Sequence, residues 1–255
     1  ADPNDAQTLY NRMFGADDSH LELLFAHGLG RADGGVWQQR LGHTLSTPAR
    51  MLADQLDWAV LHGLTARVQL LARNGVAIRG GRWLGETSVA GTAARLGYPE
   101  IVEVLVAHGA PRPELTAVDA LLAAALSGDA AAVAAAPDAL RAQVVADHAG
   151  VVVVAAADGR DRAVELLLEL GVPVDTSGRG DAGGHQRWNT ALHEAAFRDD
   201  EALATLLLDR GADPTVRDAR FDATPAGWAA HAGHTRLAEM LSGHESRWGT
   251  RAPGA

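Results

Sequence analysis

Between Thr190 and Asp213 the apolar positions recur at helical spacing rather than alternating. Leu192, Ala195 and Ala196 form one small-residue face, and Leu203, Leu206, Leu207 and Leu208 a bulkier one. The Thr190 hydroxyl stands where it can cap the first helix. Gly211 follows the second, where a left-handed residue ends a helix at low steric cost. The pattern predicts two short helices closed by a glycine turn. Such a pair has no core of its own and is stable only with similar pairs stacked on either side.

The same rhythm runs along most of the chain. Gly63 and Gly75, Gly97 and Gly109, and Gly159 and Gly171 are each 12 residues apart, and Asp199 and Gly211 keep that spacing. Small residues precede the first member of each pair, as in Ala93-Ala94, Ala155-Ala156 and Ala195-Ala196. Thr47-Pro48 and Thr224-Pro225 mark further helix starts. A partial helix from Thr8 to Phe14 follows a polar lead-in, and Asp17 to Gly28 reads as the second helix of a unit ending at Gly28. The unit around Gly128 is degenerate, since its second helix, Ala130 to Ala136, is nearly all alanine and stops at Pro137. Val151 to Val154 is a β-branched run, but the spacing after it is helical, so a helix is expected. The last helix is expected to end at Gly243, with a tail from Arg247.

Thr190, Leu192, His193 and Ala195 occupy the places of the T-P-L-H-x-A signature, and the segment resembles an ankyrin repeat. The resemblance implies an all-α fold: an ankyrin-type helical repeat solenoid of about six to seven helix pairs at ~33 residues each, some degenerate. Residues 1–46 would be an N-terminal cap or degenerate repeat with a Gly-rich insertion over 29–46. Residues 47–246 would be the array, interrupted by a long hairpin insertion at 176–187, and 247–255 a flexible tail. It further implies that side chains flanking each small-residue pair line a concave groove, and that hairpin tips add a second row. On that mapping the partner-binding residues are Trp58, His62, Arg95, Arg187, Trp188, Glu194, Phe197, Arg198, Trp228 and His231. The tips also carry Arg79, Arg82, Trp83, Arg217, Arg220 and Phe221. Trp and Arg are the residue types that dominate interface hot spots.

Composition narrows the chemistry. The net charge of -10 argues against nucleic acid and favours a basic partner. No cysteine is present, which removes thiol nucleophiles, disulfides and thiolate zinc sites. No lysine is present either, which removes a phosphate-loop or Schiff-base lysine. Codon bias and selection against lysine modification in a foreign cytosol both account for that absence. No run approaches ~20 uninterrupted apolar residues, so no membrane span is expected. A cytoplasmic location is expected, with a secreted effector as the alternative.

Catalytic constellations are weak. Gly178-x-Gly180-x-x-Gly183 formally fits a dinucleotide fingerprint but lacks the strand and helix that give it meaning. His185, His193 and Glu194 form a conceivable metal set, yet no HExxH occurs and no metal or other cofactor is expected. Asp57 with His62, and Glu194 with His231, are candidate acid–base pairs. The expected function is a non-enzymatic module that binds another protein or peptide. The alternative is a small-molecule-binding protein or atypical enzyme walled by the 29–46 and 176–187 insertions. That alternative requires a closed concavity of roughly 300 Å3 or more with converging polar groups, and an open, shallow groove would count against it.

Overall fold

A computed structural model describes residues 2–4, 9–10, 12–32, 40–42, 46–85, 87–178 and 188–248. Among them every regular element is a helix, and the one extended pairing is an isolated bridge between Gly178 and Asn189. The chain divides into two compact units, Ala1–Thr116 and Ala117–Ala255.

The first unit contains α1 (Ser19–Ala26), α2 (Pro48–Leu61), α3 (Thr65–Arg73), α4 (Val89–Arg95) and α5 (Pro99–Ala107). Thr47 caps α2 by accepting the Arg50 N–H at 3.2 Å, with Pro48 in the first turn, and Ser88 caps α4 through Gly91 N–H at 3.1 Å. First helices pack on first helices (α2 on α4) and second on second (α3 on α5). Leu9, Leu21, Phe25 and Leu29 share one apolar core with α2 to α5, so these four residues ahead of Thr47 pack as part of this unit. Arg67 ties them down. Its side chain is fully buried and donates to Met13 O at 2.6 Å, Gly15 O at 2.5 Å and Asp18 Oδ1 at 2.5 Å.

The second unit contains α6 (Ala117–Ser127), α7 (Ala130–Ala135), α8 (Asp138–His148), α9 (Val151–Ala157), α10 (Asp161–Glu169), α11 (Ala191–Phe197), α12 (Glu201–Asp209), α13 (Pro225–His231) and α14 (Thr235–Trp248). Helix α11 packs between α9 and α13. The β-branched run at Val151 is helical because Val152 and Val153 are wholly buried there, and burial outweighs intrinsic propensity. The alanine helix α7 buries only Val133, and α8, which the glycine spacing did not disclose, compensates. It packs on α6, buries Val144, and sends Arg141 to Val133 O (2.6 Å), Ala136 O (2.9 Å) and Ala134 O (3.2 Å). These are the end carbonyls that a short helix leaves without partners.

The expected end of the last helix at Gly243 is corrected. Helix α14 runs through Gly243 to Trp248, and Arg247 belongs to it rather than to a tail. Gly243 is not in the left-handed region, and a helix tolerates one interior glycine at a cost of about 1 kcal/mol.

The predicted turn positions are left-handed as the spacing requires. Gly63, Gly97, Gly128, Gly159 and Gly233 all have positive φ, and Asp199 takes the same conformation at φ 58° in place of glycine. At three of these turns a side chain reaches back to the preceding first helix. Arg160 donates to Leu126 O, Arg198 to Ala157 O at 3.0 Å, and the His234 Nε2 meets Phe197 O at 3.0 Å. Each contact gives a partner to an otherwise orphaned carbonyl and fixes how one pair seats on the next.

Candidate functional site: an aromatic cavity in the second unit

The site is built on one carboxylate. Asp218 opens the loop ahead of α13 and accepts the N–H groups of Arg220 (2.8 Å), Phe221 (2.6 Å) and Ala223 (3.1 Å), so the loop folds around it as an Asx-type turn. The oxygen that takes the Ala223 N–H, Oδ2, also accepts the Trp228 indole N–H at 2.9 Å, which fixes the ring against the loop. Burial alone would raise this carboxyl's pKa; the four hydrogen bonds outweigh it and hold the group below its ordinary value. Ala219 N–H donates to Trp188 O at 2.8 Å, tying the next wall to the same loop.

Trp188 stands beside the bridge in which Gly178 N–H donates to Asn189 O at 2.8 Å. A Cβ at Gly178 would lie 2.6 Å from Gly150 O, so only glycine closes the base of the insertion this tightly. Thr190 and His193 form a reciprocal cap at the start of α11. Thr190 N–H donates to His193 Nδ1 at 3.3 Å, which leaves the proton on Nε2 to donate to Ala223 O at 3.1 Å. Burial lowers the His193 pKa and keeps the ring neutral in that role.

These supports enclose a cavity of about 670 Å3. Trp188, Phe197, Phe221 and Trp228 supply aromatic walls, and Glu194, Arg220 and His231 add polar groups. Trp188 and Trp228 have ring centroids 5.2 Å apart, Trp188 and Phe221 5.8 Å at 77°, and Phe197 and Trp228 6.0 Å at 78°. Neighbouring rings at steep angles make corners rather than a flat stack. The Arg220 guanidinium lies over Phe221 at 5.2 Å and Trp188 at 5.7 Å. Glu194 is buried and accepts from Asn189 Nδ2. Burial raises its pKa, against the opposing pull of the Asn189 bond and Arg198.

Trp188, Glu194, Phe197, Trp228 and His231 all line this one cavity. Arg198 belongs to the expected set but is bonded to Ala157 O at the turn. Arg187, His185 and most of the 29–46 and 176–187 insertions lie outside the described residues. Trp58, His62 and Arg95 lie in the first unit. Trp58 packs on His62 with centroids 3.9 Å apart, on Phe14 at 4.8 Å and on Trp83 at 5.9 Å, while Arg95 donates to Thr92 Oγ1 at 3.1 Å.

The two candidate acid–base pairs part company. Asp57 is buried and accepts from Gly81, Trp83 and Leu84 N–H at 2.8–2.9 Å, which commits it to the 81–84 loop rather than to His62. Glu194 and His231 do share the cavity. His193 is engaged on both ring nitrogens, and among the described residues no cluster of three His, Asp or Glu side chains is arranged to hold a metal.

Three residues of the cavity and its support stand outside the expected binding set. Arg220 and Phe221 were visible only as tip residues, and Asp218 not at all, although an Asp heading a short loop before Thr224-Pro225 is a turn signal.

Residues 187–219, which contain Trp188, Glu194, Phe197 and Asp218, match the ankyrin repeat family model. This segment is similar to an ankyrin repeat. It comprises the α11–α12 pair and the start of the loop that Asp218 organises, so the cavity is formed where this repeat meets the α13 pair. The other helix pairs carry the repeat's left-handed turns without its full signature. No curated protein matches the chain. Among the described residues no single helix is long and apolar enough to cross a membrane.

Proposed function

We propose that the protein is a non-enzymatic interaction module that grips a protein partner through the aromatic cavity of its second unit. One observation carries this reading. Four aromatic rings surround a cavity of about 670 Å3 beside an ankyrin repeat, and two of them, Phe197 and Phe221, are 52% and 63% exposed. Large apolar side chains left open at the rim of a concavity are what a partner's anchor residue buries against. The net charge of -10 favours a basic partner. Trp58, His62 and Arg95 form no part of this cavity, and the reading does not depend on them.

A selection from a synthetic random peptide library that carries chemically modified as well as standard side chains, against the immobilised full chain, tests the proposal. Enriched peptides should bind the wild type and lose at least about tenfold in affinity to Phe197→Ala, an exposed position whose removal leaves the melting temperature within a degree or two. Enrichment of nothing, or of peptides indifferent to Phe197, would contradict it.

The cavity also gives a specific footing to a second reading, a small-molecule binder or atypical enzyme. Its volume lies inside the range of about 300–1,000 Å3 common to ligand pockets, and Glu194 and His231 converge in it. A ligand retained by the purified protein in native mass spectrometry, and lost on Trp228→Ala, would favour that reading.

A further inference from the structure

We infer that the cavity receives the methylated ammonium of a lysine side chain carried by a partner protein. The inference rests on the proposed interaction role and specifies its chemistry. Trp188, Phe197, Phe221 and Trp228 present a box of π-systems, and ring faces carry the negative lobe of the aromatic quadrupole. The protein's own Arg220 shows the consequence, since its guanidinium already lies over Trp188 and Phe221. Glu194 supplies a carboxyl in the same lining. Rings plus one buried carboxylate suit a cation of low hydration, the recognised chemistry of aromatic cages.

Methylation follows from hydrogen-bond supply. An unmodified lysine ammonium brings three N–H donors, each costly to bury without an acceptor. The walls are mainly ring carbon, and Glu194, whose Oε1 accepts from Asn189, is the one carboxylate among them, short of the acceptors three N–H donors need. A trimethylated ammonium has no donor to satisfy and lays methyl groups against the rings. The source follows from composition: these 255 residues contain no lysine, so no second copy of them can be the occupant, and the net charge of -10 attracts a basic segment.

The test titrates the full chain by calorimetry with one short glycine-rich host peptide in three forms: trimethyl-lysine, unmodified lysine, and the neutral tert-butyl carbon isostere. Choline is a fourth probe. The trimethyl-lysine peptide should bind at least tenfold tighter than either other peptide and tighter than choline. Trp228→Ala should remove that preference and Trp228→Phe should restore part of it. Arg220→Ala removes the cation competing for the same ring faces and should leave or raise the affinity. Equal binding of the neutral isostere would show a merely apolar cavity and overturn the inference, as would equal binding of unmodified lysine. Loss of affinity on Arg220→Ala would point to an anionic ligand and also overturn it. Choline binding as tightly as the peptide would overturn the assignment to a protein-borne group. Selected peptides that bind through Phe197 without preferring methylated lysine would sink this inference alone. Choline binding with no peptide bound by any route would instead sink the protein-interaction reading.

Discussion

Trp58 in the first unit and Trp228 in the second occupy the same register, each five residues ahead of a left-handed glycine, Gly63 and Gly233. Their surroundings begin alike. In both units a buried aspartate folds the neighbouring loop by collecting backbone N–H groups: Asp57 for residues 81–84, Asp218 for residues 220–223. The outcomes differ. Around Trp58 the rings of Phe14, His62 and Trp83 each pack directly on it, with Phe14 still 48% exposed. Around Trp228 the rings of Trp188, Phe197 and Phe221 stand at corners along the wall of a cavity of about 670 Å3. The same register thus carries a ring cluster in one unit and a cavity wall in the other. The residue at the position does not decide which; the loop and chain segment laid beside it do.

Several substitutions press on this contrast. The largest effect belongs to Arg67, which holds the segment carrying Phe14 in place. Arg67→Met leaves Asp18 and two backbone carbonyls without their donor and should cost the first unit about 3–5 kcal/mol in urea unfolding. Asp57→Ala and Asp218→Ala come next, at about 2–3 kcal/mol each for charge-assisted hydrogen bonds lost. They should separate in function: Asp218→Ala abolishes peptide binding because Trp228 loses its anchor, whereas Asp57→Ala leaves it intact.

Two pH effects are smaller. The buried His193 has a lowered pKa when folded, so its contribution is complete above the unfolded value of about 6.5 and is lost as pH falls through the folded value. The melting temperature should therefore start to decline on acidification below about pH 6.5. Glu194 behaves oppositely. Its raised folded pKa means its contribution is complete below the unfolded value and is lost as pH rises through the folded one. Glu194→Gln should accordingly melt no lower than wild type at pH 7, with any advantage closing toward pH 4, while cation binding weakens. A Glu194→Gln protein less stable at pH 7 than wild type would contradict the burial argument. The smallest stability change is expected at Phe197→Ala, about 0.5 kcal/mol or less, because the ring is exposed.

The helices and turns were legible because their signals are local. Thr47-Pro48, Thr190 and Thr224-Pro225 start helices, and the left-handed glycines end them, with Asp199 recognisable only by its spacing. Helix α8 escaped because no glycine pair brackets it and its value lies in Arg141 capping another helix, which is a tertiary fact. Gly243 misled because glycine ends a helix only when its backbone is left-handed, and there it is not. At the site, the wall residues of α11 and α13 followed from repeat register, since Glu194 and Phe197 stand five and two residues ahead of Asp199 as Trp228 and His231 stand ahead of Gly233. Arg198 did not follow, because adjacency to the wall says nothing of where a long side chain bonds. Asp218 was invisible as a site residue because it touches the cavity only through the ring and loop it positions.

The contrast between the two aromatic groups is tested most directly by comparing Phe14→Ala and Phe197→Ala for affinity to one selected peptide. Both rings are about half exposed and contact the equivalent tryptophan, at 4.8 Å and 6.0 Å. Phe197→Ala should weaken binding at least about tenfold while Phe14→Ala leaves it within about twofold. Equal losses, or a loss confined to Phe14→Ala, would contradict the assignment of recognition to the second unit's cavity.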